Sequence, residues 1–194
     1  MNKPSEKRSD HELVQLTLKH KEVYGFLIER YEAPLLRYIR RLTNVSDEDA
    51  EDLLQEVFIK AYQNLRDVDE KQSFSAWIYR IARNHVISNF RKRNVRPEGH
   101  AKEIDDHVFE NLLAEFHEDS SFDKDVLRSQ LVDVFTKLDQ KYLDVLILKY
   151  FQDKSYEEMA YIMQKPPGTI ATLLNRAKRQ FKKQAQALGI TFEL

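Results

Sequence analysis

The sequence predicts an all-α protein, on three observations. Apolar residues recur at steps of three and four, alternation of the kind a strand needs is nowhere sustained, and only four glycines punctuate the chain. The helical spacing begins at Leu13 to Leu18 and continues through Phe26 to Leu42. From Asp47 to Arg66 it is unbroken, with Ala50, Leu53, Leu54, Val57, Phe58, Ala61, Tyr62 and Leu65 forming one stripe. Ser46, followed three residues later by Asp49, has the spacing of a capping box, and acids in the first turn suit the positive end of the helix dipole. Similar periodicity covers Phe74 to Phe90, Val126 to Leu138 and Tyr142 to Tyr150. Ser155 and Glu158 read as a capping box for a short helix through Met163, and Pro166 and Pro167 interrupt the Gln164 to Gly168 stretch. Thr169 is then expected to cap a longer helix running to about Gln184.

Composition removes several function classes. Without cysteine there are no disulfides, no thiolate metal sites and no thiol nucleophile. The six histidines, at 11, 20, 85, 100, 107 and 117, form no HExxH pair, so no metal is expected. No cofactor is expected either, because the isolated glycines cannot build a phosphate-cradling loop. The longest apolar run is far shorter than the roughly 20 residues of a membrane span. The opening MNKPSEKRSD is charged and lacks a signal-peptide stretch, so a cytoplasmic location is expected.

The 31 Lys and Arg nearly cancel the 32 Asp and Glu, but the charges are zoned. Asp47 to Glu56 carries acids and no base, while Ser73 to Pro97 carries bases and no acid. Glu98 to Val132 is acidic, and Met159 to Phe192 is again free of acids. Two basic segments separated by an acidic, weakly patterned stretch predict two modules on a mobile tether: 1–97, an acidic flexible linker over 98–125, and 126–194. Short helix, turn and basic helix at the end make a helix-turn-helix, whose second helix enters the major groove.

Two segments, DAEDLLQEVFIKAY (Asp49 to Tyr62) and SFSAWIYRIARNHVISNFRKR (Ser73 to Arg93), resemble the polymerase-binding and promoter-melting helices of the extracytoplasmic-function, or group 4, sigma factors of the sigma-70 family. Leu138 to Lys183 resembles that family's second domain, which reads the upstream promoter element. The resemblance implies a sigma-2-like helical bundle and a sigma-4-like helix-turn-helix domain. It implies a non-enzymatic protein that binds core RNA polymerase, recognises minus-35 and minus-10 promoter DNA and stabilises the melted strand. An anti-sigma partner is often present in the family.

Carried over residue by residue, the resemblance assigns polymerase contact to Asp49, Glu51, Asp52, Leu53, Gln55, Glu56 and Phe58. It assigns the minus-10 element to Lys71, Ser73, Phe74, Trp77, Arg80, Arg83, Asn84, Ser88, Arg91 and Arg93, the arginines holding phosphates. The loop from Arg66 to Gln72 would cup a base turned out of the stack. For Trp77 two roles are open, stacking on a base or filling the core. The minus-35 element falls to Ser155, Lys165, Thr169, Ala171, Thr172, Asn175, Arg176 and Arg179. The family commonly has bases where this chain has Ala171 and Leu173, which predicts weaker minus-35 contacts or a different element.

The alternative reading is a stand-alone helix-turn-helix regulator of duplex DNA whose front half dimerises or senses a ligand. The acid-free Ser73 to Arg93 helix suits single-strand capture better than a sensing pocket. A hydrolase using paired carboxylates is disfavoured, since the acids lie along one regular helix face without nucleophile, histidine partner or metal set.

Overall fold

The computed structural model describes residues 8–43, 45–69, 71–93 and 131–190. Among them every regular element is helical. The expected linker, and the segment boundaries at 97/98 and 125/126, lie outside the described residues.

Helix α1 (Asp10–Thr17) starts at Ser9, whose side chain and that of Glu12 form a reciprocal capping box. Asp10 joins Arg30 and Tyr31, which ties α1 to α2 (Tyr24–Leu42) while Leu13 and Val14 go into the core. Along α2 the buried positions Leu27, Tyr31, Leu35, Tyr38, Ile39 and Leu42 follow the three-and-four rhythm. Helix α3 (Asp47–Gln63) packs beside α2. At its start the Ser46 hydroxyl accepts from the Asp49 amide at 3.1 Å, as the sequence predicts.

Helix α4 (Phe74–Arg93) begins at Ser73, whose hydroxyl accepts from the Ala76 amide at 3.1 Å. Ala76, Trp77, Ile78 and Tyr79 are all buried, as are Phe74, Ala82 and Val86. Four consecutive buried residues, about 100° apart, sweep nearly the full circumference of a helix, so α4 has neighbours on more than one side. Helices α1, α2 and α3 lie against it, and so does the helix Tyr156–Met163 from the other half of the chain.

That other half begins with a helical segment at 131–136 and continues through α5 (Gln140–Leu146), which runs directly into one wide π-type turn, Ile147–Phe151. Helices α6 (Tyr156–Met163) and α7 (Pro167–Ala187) form the helix-turn-helix. The Ser155/Glu158 capping box is present. The start of α7 differs from expectation, because the helix begins at Pro167 rather than after Thr169. Proline at the first helical position sacrifices only an amide that would have no helical partner, so the double proline shortens the turn instead of extending the break. Gln164 takes the left-handed conformation (φ 54°, ψ 49°) at the end of α6, the geometry that makes glycine frequent at such positions.

Two modules on a tether were expected, and the described parts of the two halves pack against one another. Helix α4 lies on α6, and α2 meets α5 and the π-type turn. Trp77, 1% exposed, packs at 5.5 Å from Phe74, which itself meets Tyr31 at 5.3 Å. Of its two roles the core one is realised in this arrangement. Trp77→Ala is therefore expected to cost about 3–5 kcal/mol in urea unfolding. A loss below about 1 kcal/mol would show that the ring is not a core element.

Candidate nucleic-acid and protein interface

Along α3 the acids are presented outward. Glu48, Asp49, Glu51, Asp52, Gln55 and Glu56 are exposed, and Arg40 reaches Asp47 at 3.3 Å and Glu51 at 3.7 Å without covering them. Glu51 and Glu56 keep 60% and 56% of their side-chain surface. Leu53 and Phe58, assigned to partner contact in the sequence, are instead buried at 8% and 7% exposure, with Phe58 edge-on to Tyr24. The apolar surface on this helix comes from Ile59 and Tyr62, 57% and 45% exposed. Helical spacing places Asp52, Gln55, Ile59 and Tyr62 along one outward stripe. Tyr62 had been counted in the inward stripe and Ile59 in neither, since periodicity alone cannot tell which edge of an apolar face is covered.

Between the end of α3, the outer side of α4 and the helix-turn-helix lies an open polar cleft of about 770 Å³. Its lining includes Lys60, Asp67, Arg80, Asn84, Ser88 and, from the turn of the other half, Gln164. Trp77 lends it an edge. Four residues assigned to the minus-10 element thus meet in one place. Asn84 and Ser88 are exposed there, and His85 contacts Glu56 at 2.7 Å across the α3–α4 seam. Lys71 is exposed at the mouth of α4, in a turn where its amide donates to Asp69 at 2.9 Å.

Arg80 and several further assigned residues are paired or buried. The Arg80 guanidinium sits 4.3 Å from the centre of the Tyr161 ring. Ser73 donates to Glu158 at 3.0 Å, and Phe74 is buried at 4% exposure. Arg83 donates through Nε to Asp144 Oδ2 at 2.6 Å and keeps only 15% of its side-chain surface, so in this arrangement it offers no open phosphate contact. Tyr38 donates to the other Asp144 oxygen at 3.0 Å. The side chains of Arg91 and Arg93 lie outside the described residues.

Asp144 itself has no exposed surface. Burial pushes its carboxyl above the ordinary value, and the Arg83 charge and the two hydrogen bonds pull it down without cancelling that rise. Desolvation is the largest influence on Arg83 and pulls it down, but the Asp144 charge, Tyr38 and the hydrogen bond to Asp144 together hold the guanidinium above its ordinary value. Since the folded carboxyl is raised, its contribution to stability is fully present below the ordinary carboxylate range and is lost as pH rises through the raised value. The two contacts tie α5 to α4 and α2. Neither Asp144 nor Tyr38 was singled out in the sequence. The available signal was an acid inside an apolar run, Leu143 to Leu148, where nothing solvates it locally.

On α7 the outer face is open. Thr169, Thr172, Asn175, Arg176 and Arg179 are exposed, Ala171 is half-buried, and Lys165 is exposed in the turn. Thr172 donates to the Gly168 carbonyl at 2.9 Å, leaving the oxygen able to accept. Ser155 is exposed, and its hydroxyl accepts from the Glu158 amide at 3.1 Å. Among the described residues no cluster of carboxylates and histidines is suited to a metal, and no helix is long and apolar enough to cross a membrane.

Comparison with known proteins follows the same division. The family described as Sigma-70 region 2 matches residues 27–96, and Sigma-70, region 4 matches 128–181. The chain is 32% identical over 155 residues to the ECF RNA polymerase sigma factor SigW of Bacillus subtilis, covering 77% of this chain and 81% of that one. It is 30% identical over 168 residues to RNA polymerase sigma factor YlaC of the same species, covering 86% and 94%. The ECF RNA polymerase sigma-E factor of Escherichia coli is 28% identical over 200 residues, with 95% and 98% covered. In fold, the chain is similar to CnrH solved with the cytosolic domain of CnrY (TM-score 0.66, 18% identity, 93% and 99% covered). It is also similar to the sigma factor RpoE solved with the anti-sigma factor NepR from Bartonella quintana (TM-score 0.60, 22% identity, 82% and 96% covered).

Ser155 has a structural duty separable from any contact with a partner. Ser155→Ala should cost about 1 kcal/mol in urea unfolding, and Ser155→Asp, which also caps, should restore most of it. Equal stability of all three proteins would show that this hydroxyl does not hold the helix end.

Proposed function

The chain belongs to the extracytoplasmic-function sigma factors of the sigma-70 family, and from that premise we propose that it binds core RNA polymerase and directs initiation at promoters whose minus-35 and minus-10 elements it recognises. One observation carries the reading: a single chain presents an exposed carboxylate stripe on α3 and an exposed polar, basic face on α7. The first suits a basic protein surface and the second the phosphates and base edges of a major groove. A duplex-binding regulator acting alone has no use for the first.

The work is divided by residue. Asp49, Glu51, Asp52 and Glu56 supply the charge that meets the polymerase, Gln55 adds a hydrogen-bonding amide, and Ile59 and Tyr62 give apolar contact in place of the buried Leu53 and Phe58. Lys165, Arg176 and Arg179 neutralise phosphates around the minus-35 element while Thr169, Thr172 and Asn175 reach base edges. With Ala171 and Leu173 at the start of α7, readout there depends on short polar groups more than on cations. Around the α4 cleft, Lys71, Asn84 and Ser88 meet the separated minus-10 strand, joined by Arg91 and Arg93 and, once uncovered, by Ser73, Arg80 and Arg83. No covalent bond changes. A surface that favours unpaired strand over duplex shifts the melting equilibrium by its differential affinity. We place this action in the cytoplasm, with residues 1–97 and 126–194 as the two working units and 98–125 between them. An anti-sigma protein that covers these surfaces is the further partner the reading implies.

In a reconstituted system, chain plus core polymerase should start transcripts at discrete sites on genomic DNA, whereas the chain alone should bind promoter DNA poorly. Glu51→Lys with Asp52→Lys should weaken core binding by about tenfold or more. Arg176→Ala should lower promoter affinity with little change in sequence preference and reduce the salt slope by about one unit. Failure of the core enzyme to bind the chain or gain promoter choice would overturn the reading.

A further inference from the structure

Six carboxylates lie between Asp47 and Glu56, and the face they form is met from α2 by a base of the same chain. Asp47 and Glu51 are four residues apart on α3 and so share one side of the helix. The Arg40 guanidinium lies across both, with Nε 3.3 Å from Asp47 and Nη2 3.7 Å from Glu51. Other arginines of α2 turn elsewhere, Arg30 to Asp10 and Arg41 to the Phe151 ring. Asp47 and Glu51 are each followed by a member of the outward stripe, Glu48 and Asp52, about 100° further round the helix. Arg40 therefore stands at the α2 rim of that stripe.

The contact is loose. A well-made guanidinium–carboxylate hydrogen bond closes to about 2.7–2.9 Å. Both distances here are longer, and the Arg40 Nε is shielded from water without an aligned hydrogen bond. Asp47 and Glu51 stay exposed and Arg40 half-buried, whereas Arg83 closes to 2.6 Å on an Asp144 carboxylate that has no exposed surface. A pair so open and misaligned adds little to stability. What it changes is the field. One cation at the rim offsets one of six negative charges, and it does so most strongly for the acids nearest to it.

We propose that Arg40 is an intramolecular competitor of the polymerase: it occupies Asp47 and Glu51, so that a basic surface docking on α3 must displace it, and it sets the affinity for core enzyme below what the carboxylates alone would give. The inference rests on the sigma-factor reading and deepens it by naming a residue that tunes the strength of that contact. Two effects act in the same direction. The guanidinium shares its carboxylates with any incoming cation, and it repels that cation as a like charge. Asp52, exposed one step round the helix, is left to lead the contact.

Titrated with core polymerase at low salt, dye-labelled Arg40→Gln should bind about two- to fivefold more tightly than wild type, and the gain should fade as salt rises, because exposed charges are screened. Arg40→Lys, which keeps the charge, should bind like wild type. In an Asp47→Asn, Glu51→Gln background, which lacks the acids that Arg40 occupies, the gain from Arg40→Gln should shrink to less than about half. Loss of a structural staple would weaken binding, so a gain separates competition from packing. Arg40→Met, which retains an apolar stem, carries the test if Arg40→Gln fails to fold. Unchanged or weaker binding by the folded variants, or an equal gain in the background without the two acids, would overturn the proposal. A synthetic lysine-rich helical peptide serves as a second probe of the full chain. If core polymerase binds none of the proteins, the sigma-factor reading fails, while tighter peptide binding by Arg40→Gln upholds the competition and unchanged peptide binding overturns it.

Discussion

A carboxylate stripped of water needs a cation and hydrogen-bond donors within reach, and for Asp144 these are Arg83 and Tyr38, contributed by helices from the opposite half of the chain. Much of the seam's arrangement depends on that demand. Helix α5 has Leu143, Val145 and Leu146 buried on either side of the acid, so turning Asp144 outward would drag apolar surface into solvent. The wide turn at Ile147–Phe151 follows at once and delivers Phe151 to Arg41 and Gln152 to Tyr79. Helix α6 then lands on α4, where Glu158 serves twice, as the reciprocal cap of its own helix and as the acceptor for Ser73. Burial raises the carboxyl and its partners offset part of that rise, and the contact ties α5 to α4 and α2 at defined residues.

Helix α4 shows how one sequence serves two arrangements. Its bulky positions Phe74, Trp77 and Ile78 build the first-half core, and Tyr79 and Arg83 join the seam with the second half. On the proposed function, a helix that meets an unpaired strand must keep polar groups that a permanent interior would not tolerate. Here those groups are satisfied within the chain: Arg80 by an aromatic ring, Arg83 by a carboxylate and Ser73 by a glutamate. Each partner offers what nucleic acid also offers, a π face or an anionic oxygen.

Much of this was legible in the sequence, for reasons that are local. Helix positions follow from apolar spacing, and the starts of α3 and α6 follow from Ser46 and Ser155, because caps act within one turn. The carboxylate face of α3 and the polar face of α7 were legible too, since charge zoning survives folding wherever a surface remains open. The contact between halves was not legible, because it depends on pairs 61 and 106 residues apart with no repeating pattern. Leu53 and Phe58 against Ile59 and Tyr62 illustrate a second limit: all four are largely apolar and on one helix, and the placement of the neighbouring helices decides which are covered. Pro167 illustrates a third, since a proline that breaks a helix in its interior begins one at its first position.

The most direct measurement is of the Arg83 side chain itself in the free protein. With the guanidinium labelled with ¹⁵N and its signal assigned through Arg83→Lys, the Nε–H should exchange with water far more slowly than that of exposed Arg176. An Arg83 signal that exchanges as fast as Arg176 in the free chain would contradict the account, because the seam would not be closed.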